Sequence, residues 1–187
     1  MVVAIIAILA LIALPNFLDA QVRSKVSRAR ADMRTVVTAV EAYAADQTNY
    51  APPISYLGAG PYTVEDPAQD EFEAFVPMRM TTPVAYLTSL PSDPFWIEGR
   101  AEHPPRVTFH YSEQKNNTEM EETRETFIQD RMEKLGAGAA ENCRYFLASH
   151  GPDLKDPSGS SAVLYDPTNG TVSPGDLYYF GPGLGPR

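Results

Sequence analysis

Met1 to Leu14, "MVVAIIAILALIAL", holds no polar side chain. After Pro15 the pattern becomes amphipathic. Leu18, Val22, Val26, Ala29, Met33, Val36, Val37, Val40, Tyr43 and Ala44 recur mostly at steps of three and four, which stacks them on one face of an α-helix. No glycine precedes Gly58, and Pro15 is the only proline before Pro52. The spacing predicts one helix from Met1 to about Gln47 with a proline inside it, ended by Asn49 and Pro52-Pro53. At the standard rise it extends roughly 70 Å, so its first half must project beyond a small head.

From 51 to 105 the chain carries ten prolines and scattered aromatics. This reads as a long packed loop with short helical pieces at most, around Asp70–Phe75 and Val84–Leu87. "RVTFHY" (106–111) then alternates Val107, Phe109 and Tyr111, the pattern of a half-buried strand. Met120, Phe127, Ile128 and Leu135 share a helical face, so 112–140 reads as an inserted amphipathic helix. "RYFLAS" (144–149), "SAVLYD" (161–166) and "DLYYFG" (176–181) are three further strands, separated by turn-rich segments. Four short strands at this spacing predict an antiparallel meander lying on the long helix. The expected fold is therefore α+β: residues 1–50 a stalk helix, residues 51–187 a small β-sheet head with a helical insertion. Within it, Val36, Val37, Val40, Tyr43 and Ala44 should lie under the sheet, while Leu18, Val22 and Val26 should be covered only by neighbouring subunits.

Charge sharpens that division. Residues 16–34 hold five bases (Arg23, Lys25, Arg28, Arg30, Arg34) against Asp19 and Asp32, whereas 35–187 hold ten bases and twenty-two acids, within a net charge of −9. An acidic head is unsuited to nucleic acid, whose phosphates need a basic surface. The basic run fits either a solvated helix face or pairing of one subunit's stalk with another's head. The single cysteine, Cys143, excludes an internal disulfide and reads as a small buried residue. His103, His110 and His150 stand in no catalytic motif, and no GxSxG, HExxH, CxxC or glycine-rich phosphate loop occurs; the expectation is a protein that is not an enzyme. Asp153, Asp156, Asp166, Asn169 and Asp176 crowd the C-terminal loops, where Asp and Asn serve as turn formers.

"VVAIIAILALIALPNFLDAQ" resembles the N-terminal helix of type IV pilins and type II secretion pseudopilins. "YLTSLPSDPF" (86–95) and "GPDL…YDPTNGTVSPGDL" resemble segments of the major pseudopilins, the second being their aspartate-rich C-terminal loop. That loop binds calcium in the family, so the resemblance implies Asp153 and Asp176 as calcium candidates beside the turn reading. The family's mature chain opens with a phenylalanine-led apolar hexapeptide bearing a glutamate, after a short basic leader. Here the sequence starts beyond that point, and restoring about seven residues would bring the apolar stretch to about 20, the length a membrane-spanning helix requires.

The resemblance implies a structural subunit held first in the inner membrane and then extracted into a helical, cell-surface filament by an assembly ATPase and a membrane platform protein. Its assembly contacts would come from Ile5, Ile6, Ile8, Leu9, Leu11, Ile12, Leu14, Pro15, Phe17, Leu18, Val22 and Val26. A pseudopilin working as a secretion piston and a monomeric membrane-anchored binding protein are the alternatives. A cleaved secretory signal fits less well, since no basic residue precedes the apolar run.

Overall fold

A computed structural model of the 187-residue chain describes residues 2–51, 54–55, 74–96, 108–113, 133, 143–154, 163–168, 175–183 and 185–186. One helix, α1 (Val2–Gln47), runs through Pro15 without interruption. It ends at Gln47, where the next residue, Thr48, takes a left-handed backbone (φ 62°); this stops the helix before Asn49 and the two prolines are reached. The exposed threonines of α1 turn back on it: Thr35 and Thr38 hydroxyls donate to the carbonyls of Ala31 and Arg34, so neither needs a partner outside the helix.

Among the described residues six strands follow in sequence order as an antiparallel meander: β1 (Ile54–Ser55), β2 (Ala74–Phe75), β3 (His110–Glu113), β4 (Tyr145–Ser149), β5 (Leu177–Gly181) and β6 (Gly185–Pro186). Three of them, β3 to β5, form the body of the sheet. Tyr111 faces Leu147, and Leu147 faces Tyr179. Tyr111, Tyr145, Leu147 and Leu177 pack with Val26, Ala29, Met33, Val36, Val37 and Val40 of the helix in one apolar cluster. This α+β architecture is the one the spacing of apolar residues predicts.

Local assignments differ in four places. The strand expected at 106–111 is set further on, at His110–Glu113, so Ser112 and Glu113 belong to the sheet rather than to the insertion. Pairing with Phe146 and Tyr145 extends it. It is buried on both faces, because Phe109 and Tyr111 meet the helix side while His110 and Ser112 are buried opposite. Of the strand expected at 161–166, the described residues 163–166 form none. Leu164 makes a single parallel bridge to Asp176, while β6 pairs with β5 at Tyr179 and Phe180. Around Phe75 the chain is extended rather than helical, pairing with both β1 and β3. Val84–Leu87 is a series of bends, and the nearest helical turn is the short 3₁₀ segment Met78–Met80. The helix expected within 112–140 lies outside the described residues apart from Glu133, which is helical.

Residues 76–96 form a strap along α1. Its upper end is tied where the Tyr86 hydroxyl donates to Asp46 Oδ2 at 2.9 Å and the Tyr86 ring meets Tyr43 edge-on. Its lower end places Phe95 under the Lys25 ammonium, 6.0 Å from the ring centre. The helix partners of the two ends, Lys25 and Asp46, are 21 positions apart, about 32 Å along the helix. Met80, Leu87 and Phe95 are buried along the way.

Candidate assembly interface

The strap decides which stalk residues are left uncovered. Val26 is buried and Val22 packs half-buried against the core, so the chain's own head reaches these two. The expectation that only neighbours cover them is corrected: Val26 shares the buried cluster with Phe95 of the strap, and Val22 packs against that cluster. Val36, Val37 and Val40 are buried under the sheet as expected, with Tyr43 partly buried beside them. Below Asp19, which is half-buried, every described position of the helix is exposed. Ile5, Ile6, Ile8, Leu9, Leu11, Ile12, Leu14, Phe17 and Leu18 are all more than half exposed, with Leu11 at 75%, and Pro15 is exposed among them. A contiguous apolar surface of this kind on one end of a folded chain marks an interaction site. The segment is long and apolar enough to cross a membrane, and none of it is buried within the chain.

Two polar locks make stalk and head one body, and neither was anticipated from the sequence. In the first, the Tyr145 hydroxyl donates to Glu41 Oε1 at 2.6 Å, with Tyr50 reaching Oε2 at 3.4 Å. This ties the middle of α1 to the start of β4. Gly181 leaves the room that Tyr145 fills; a Cβ there would lie 2.1 Å from the tyrosine ring. In the second, Asp93 of the "LPSDPF" segment is buried and its carboxylate gathers three donors. Phe95 N–H and the Ser149 hydroxyl bond Oδ1 at 2.9 and 2.8 Å, and His150 N–H bonds Oδ2 at 3.1 Å. The His150 ring lies against Trp96 and His110, with Nδ1 3.7 Å from Asp93 Oδ2. The strap is thereby fastened to the end of β4. The only hint in the sequence is an Asp between two prolines ahead of an aromatic, which turn chemistry alone explains.

Burial pushes up the Tyr145 hydroxyl, aided by the neighbouring Glu41 carboxylate, and pushes up Tyr50 in the same way. Burial also raises the Cys143 thiol to about 11 from 9.0, which leaves it protonated and unreactive at neutral pH. Groups whose native pKa lies above the unfolded value contribute stability that is complete below the unfolded pKa and is lost as pH rises towards the native one. The melting temperature of the folded chain is therefore expected to hold up to about pH 8 and decline above about pH 9, less steeply in Tyr145→Phe. At neutral pH that variant should lose about 2 kcal/mol, the worth of a hydrogen bond to a charged acceptor; a pH series of thermal melts checks both.

The remaining sequence candidates fall into structural roles. Cys143 and His150 flank the two ends of β4, and seven extended residues separate them by roughly 23 Å; they do not meet. The Cys143 thiol instead donates to the Tyr145 carbonyl. Asp153 Oδ2 accepts Gly175 N–H at 3.2 Å. Asp176 is buried, with its backbone bonded to Val163 and Tyr165 and its carboxylate near the Tyr178 hydroxyl. Asp166 caps its own turn by accepting both Thr168 N–H and the Thr168 hydroxyl, which holds its carboxyl below the usual range. Gly151 (φ 64°) and Gly175 (φ 137°) let these loops touch: a Cβ on Gly151 would lie 2.0 Å from the Gly175 carbonyl oxygen. Asp153 and Asp176 are thus brought to the same junction of two loops. Asp156 and Asn169 lie outside the described residues, as does His103. Among the described residues no group of three or more His, Cys, Asp and Glu is placed to hold a metal ion.

A helix whose upper half carries a small antiparallel sheet and whose lower half is apolar and bare defines a pilin-like class of fold. In sequence, a stretch of 60 residues is 40% identical to the type IV major pilin protein PilA of Myxococcus xanthus (strain DK1622). The alignment takes in 32% of this chain and spans 27%, about a quarter, of that protein, and it supports a pilin-like relationship. No family model matches the chain, and no solved structure matches it.

Proposed function

We propose that this chain is a structural, non-enzymatic subunit of a helical cell-surface filament, held in the inner membrane before assembly. The bare apolar segment from Val2 to Leu18 carries this reading. In water it would be a liability, in a bilayer it is stable, and in a bundle of like helices it is removed from both. The partial likeness to a type IV major pilin supports the same class. A helix that runs on from Asn16 into the head core suits a subunit whose heads must sit at fixed positions around a fibre. Contacts between successive copies would be head-to-tail and unclosed, which generates a helix rather than a ring.

The resemblance of "YLTSLPSDPF" to major pseudopilins gives the second reading, a short piston for protein secretion; Asp93, which anchors that segment, fits it equally well. Electron microscopy of material sheared from cells making the chain separates the readings. Long fibres containing it are expected. Short periplasmic assemblies alone would favour the piston, and a detergent-soluble monomer that never polymerises would favour a simple anchor.

Pro15 supplies a further expectation for the assembled state. It has no N–H to bond the Leu11 carbonyl, and a proline inside a helix costs about 3 kcal/mol. The isolated chain keeps the helix through it. In a fibre, stretching five residues from Ala10 to Leu14 to the extended spacing adds roughly 9 Å to the stalk, and packed neighbours would shield the opened backbone. Helical reconstruction of fibres should show an extended segment around Ala10–Pro15 flanked by helix. A Pro15→Ala fibre should have a different subunit rise; an unbroken helix from Ile6 through Leu14 in the parent fibre would contradict the expectation.

A further inference from the structure

The five bases of the stalk separate into two groups with different fates. Arg28 Nε lies 3.5 Å from Asp32 Oδ2, and Lys25 sits over Phe95; both flank the buried stripe on one side of α1. Arg23, Arg30 and Arg34 stand at i, i+7 and i+11, which groups them within about 40° around the helix axis, on the opposite flank. Among the described residues no carboxylate pairs with any of them. Arg23 and Arg34 are exposed. Arg30 Nε is shut off from water and donates to nothing, so moving that guanidinium outward onto an acceptor would relieve a buried donor as well as neutralise a charge. Higher on this flank, Glu41 is already taken by Tyr145 and Tyr50. The stripe therefore begins where the chain's own head stops supplying partners.

We propose that Arg23, Arg30 and Arg34 form a docking stripe for carboxylates on the head of a second copy of this chain. The proposal rests on the filament reading and adds which surface fixes the register between copies. Charge complementarity selects the partner: residues 35–187 carry twenty-two acids and ten bases. Height along the stalk selects a second copy over anionic lipid headgroups. Arg34 lies 16 residues beyond Leu18, about 24 Å along the helix, whereas the headgroup region on one side of a bilayer is only about 5–8 Å deep. A membrane that ends near Leu18 reaches Arg23 at most. A neighbouring head stacked along the fibre passes every height of the stalk.

The test uses the full chain in cells that assemble it. The triple variant Arg23→Gln/Arg30→Gln/Arg34→Gln is compared with Arg28→Gln, whose arginine is already paired with Asp32. The triple variant should lose about tenfold or more in sheared fibre yield, the combined effect of three exposed ion pairs per contact. Its membrane-held amount and its melting temperature in detergent should match the parent, and Arg28→Gln should assemble normally. A photo-crosslinking residue at position 34 should capture a second copy, which decides the matter if the triple variant folds poorly. Parent-like fibre yield from the triple variant overturns the stripe and leaves the filament reading standing, as does crosslinking at 34 to phospholipid alone. A parent chain that makes no fibre overturns both.

Discussion

Replacing Val40 with Asp should leave a chain with no cooperatively folded head. Val40 is completely buried, on the helix face that carries the sheet, in the same cluster as Met33, Val36, Tyr111 and Leu147. A carboxylate there has no counter-ion and no water, and even protonated it leaves a polar group without partners. The cost is several kcal/mol, comparable with the whole stability of a domain this size, about 5–15 kcal/mol. The same substitution at Leu11, which is 75% exposed and touches no part of the head, should leave the melting temperature unchanged. Thermal melts of the two variants in detergent, followed by circular dichroism, check the contrast. Equal loss from both would mean that the stalk does not divide into a head-covered and an uncovered half. Val22 is a poorer choice for the uncovered half, because the head already covers part of it.

The second large effect is expected at Asp93. Asp93→Ala strips an acceptor from three donors at once, Phe95 N–H, Ser149 Oγ–H and His150 N–H, and all three lie in a buried region. Each unsatisfied buried donor costs about 1–3 kcal/mol. Water entering the vacated space would recover part of it, so a loss of about 3–5 kcal/mol is the expectation. Asp93→Asn should be intermediate in effect. Its amide oxygen can still serve the two donors on one side, but its NH₂ then faces the His150 N–H, a donor against a donor. Chemical denaturation of the three proteins checks the order. An Asp93→Ala protein within about 1 kcal/mol of the parent would show that the strap is held by Met80, Leu87 and Phe95 alone.

How far these features were legible in the sequence follows from the range over which each is determined. The helix was readable end to end because period and breakers are local: no glycine or internal turn signal interrupts positions 2–47. Strands β4 and β5 were readable to within a residue, since each is a compact run of aromatics and aliphatics between turn-formers. Strand β3 was displaced because its end is set by pairing with Tyr145 and Phe146, a partner more than thirty residues away in sequence. The segment 161–166 has the composition of a strand, yet among its described residues only Leu164 bridges, to Asp176, while β6 pairs with β5 at Tyr179 and Phe180. The two-residue strands β1, β2 and β6 carry too few residues for any period to show.

The bare segment of the candidate interface was legible for the same local reason as the helix, because nothing in Met1–Leu14 could be polar in any fold. Its upper limit was not. Where the stalk becomes covered depends on a strap of irregular structure rich in proline, whose path is set by single contacts: Tyr86 on Asp46, Phe95 under Lys25, and Asp93 on Ser149 and His150. The Glu41–Tyr145 bond joins residues 104 positions apart. Glu41 sits on the flank of the apolar stripe, where a carboxylate reads as solvent-facing until a tyrosine from the sheet arrives to meet it.

In the filament we propose, the half of the stalk left bare by the head is buried by other copies of the same chain. Helical reconstruction of sheared fibres at side-chain detail tests it most directly. Val2 to Leu18 should be packed against like segments along the fibre axis, with the sheet on the outside. A fibre joined through heads alone, with Leu9, Ile12 and Leu14 still facing solvent, would contradict it.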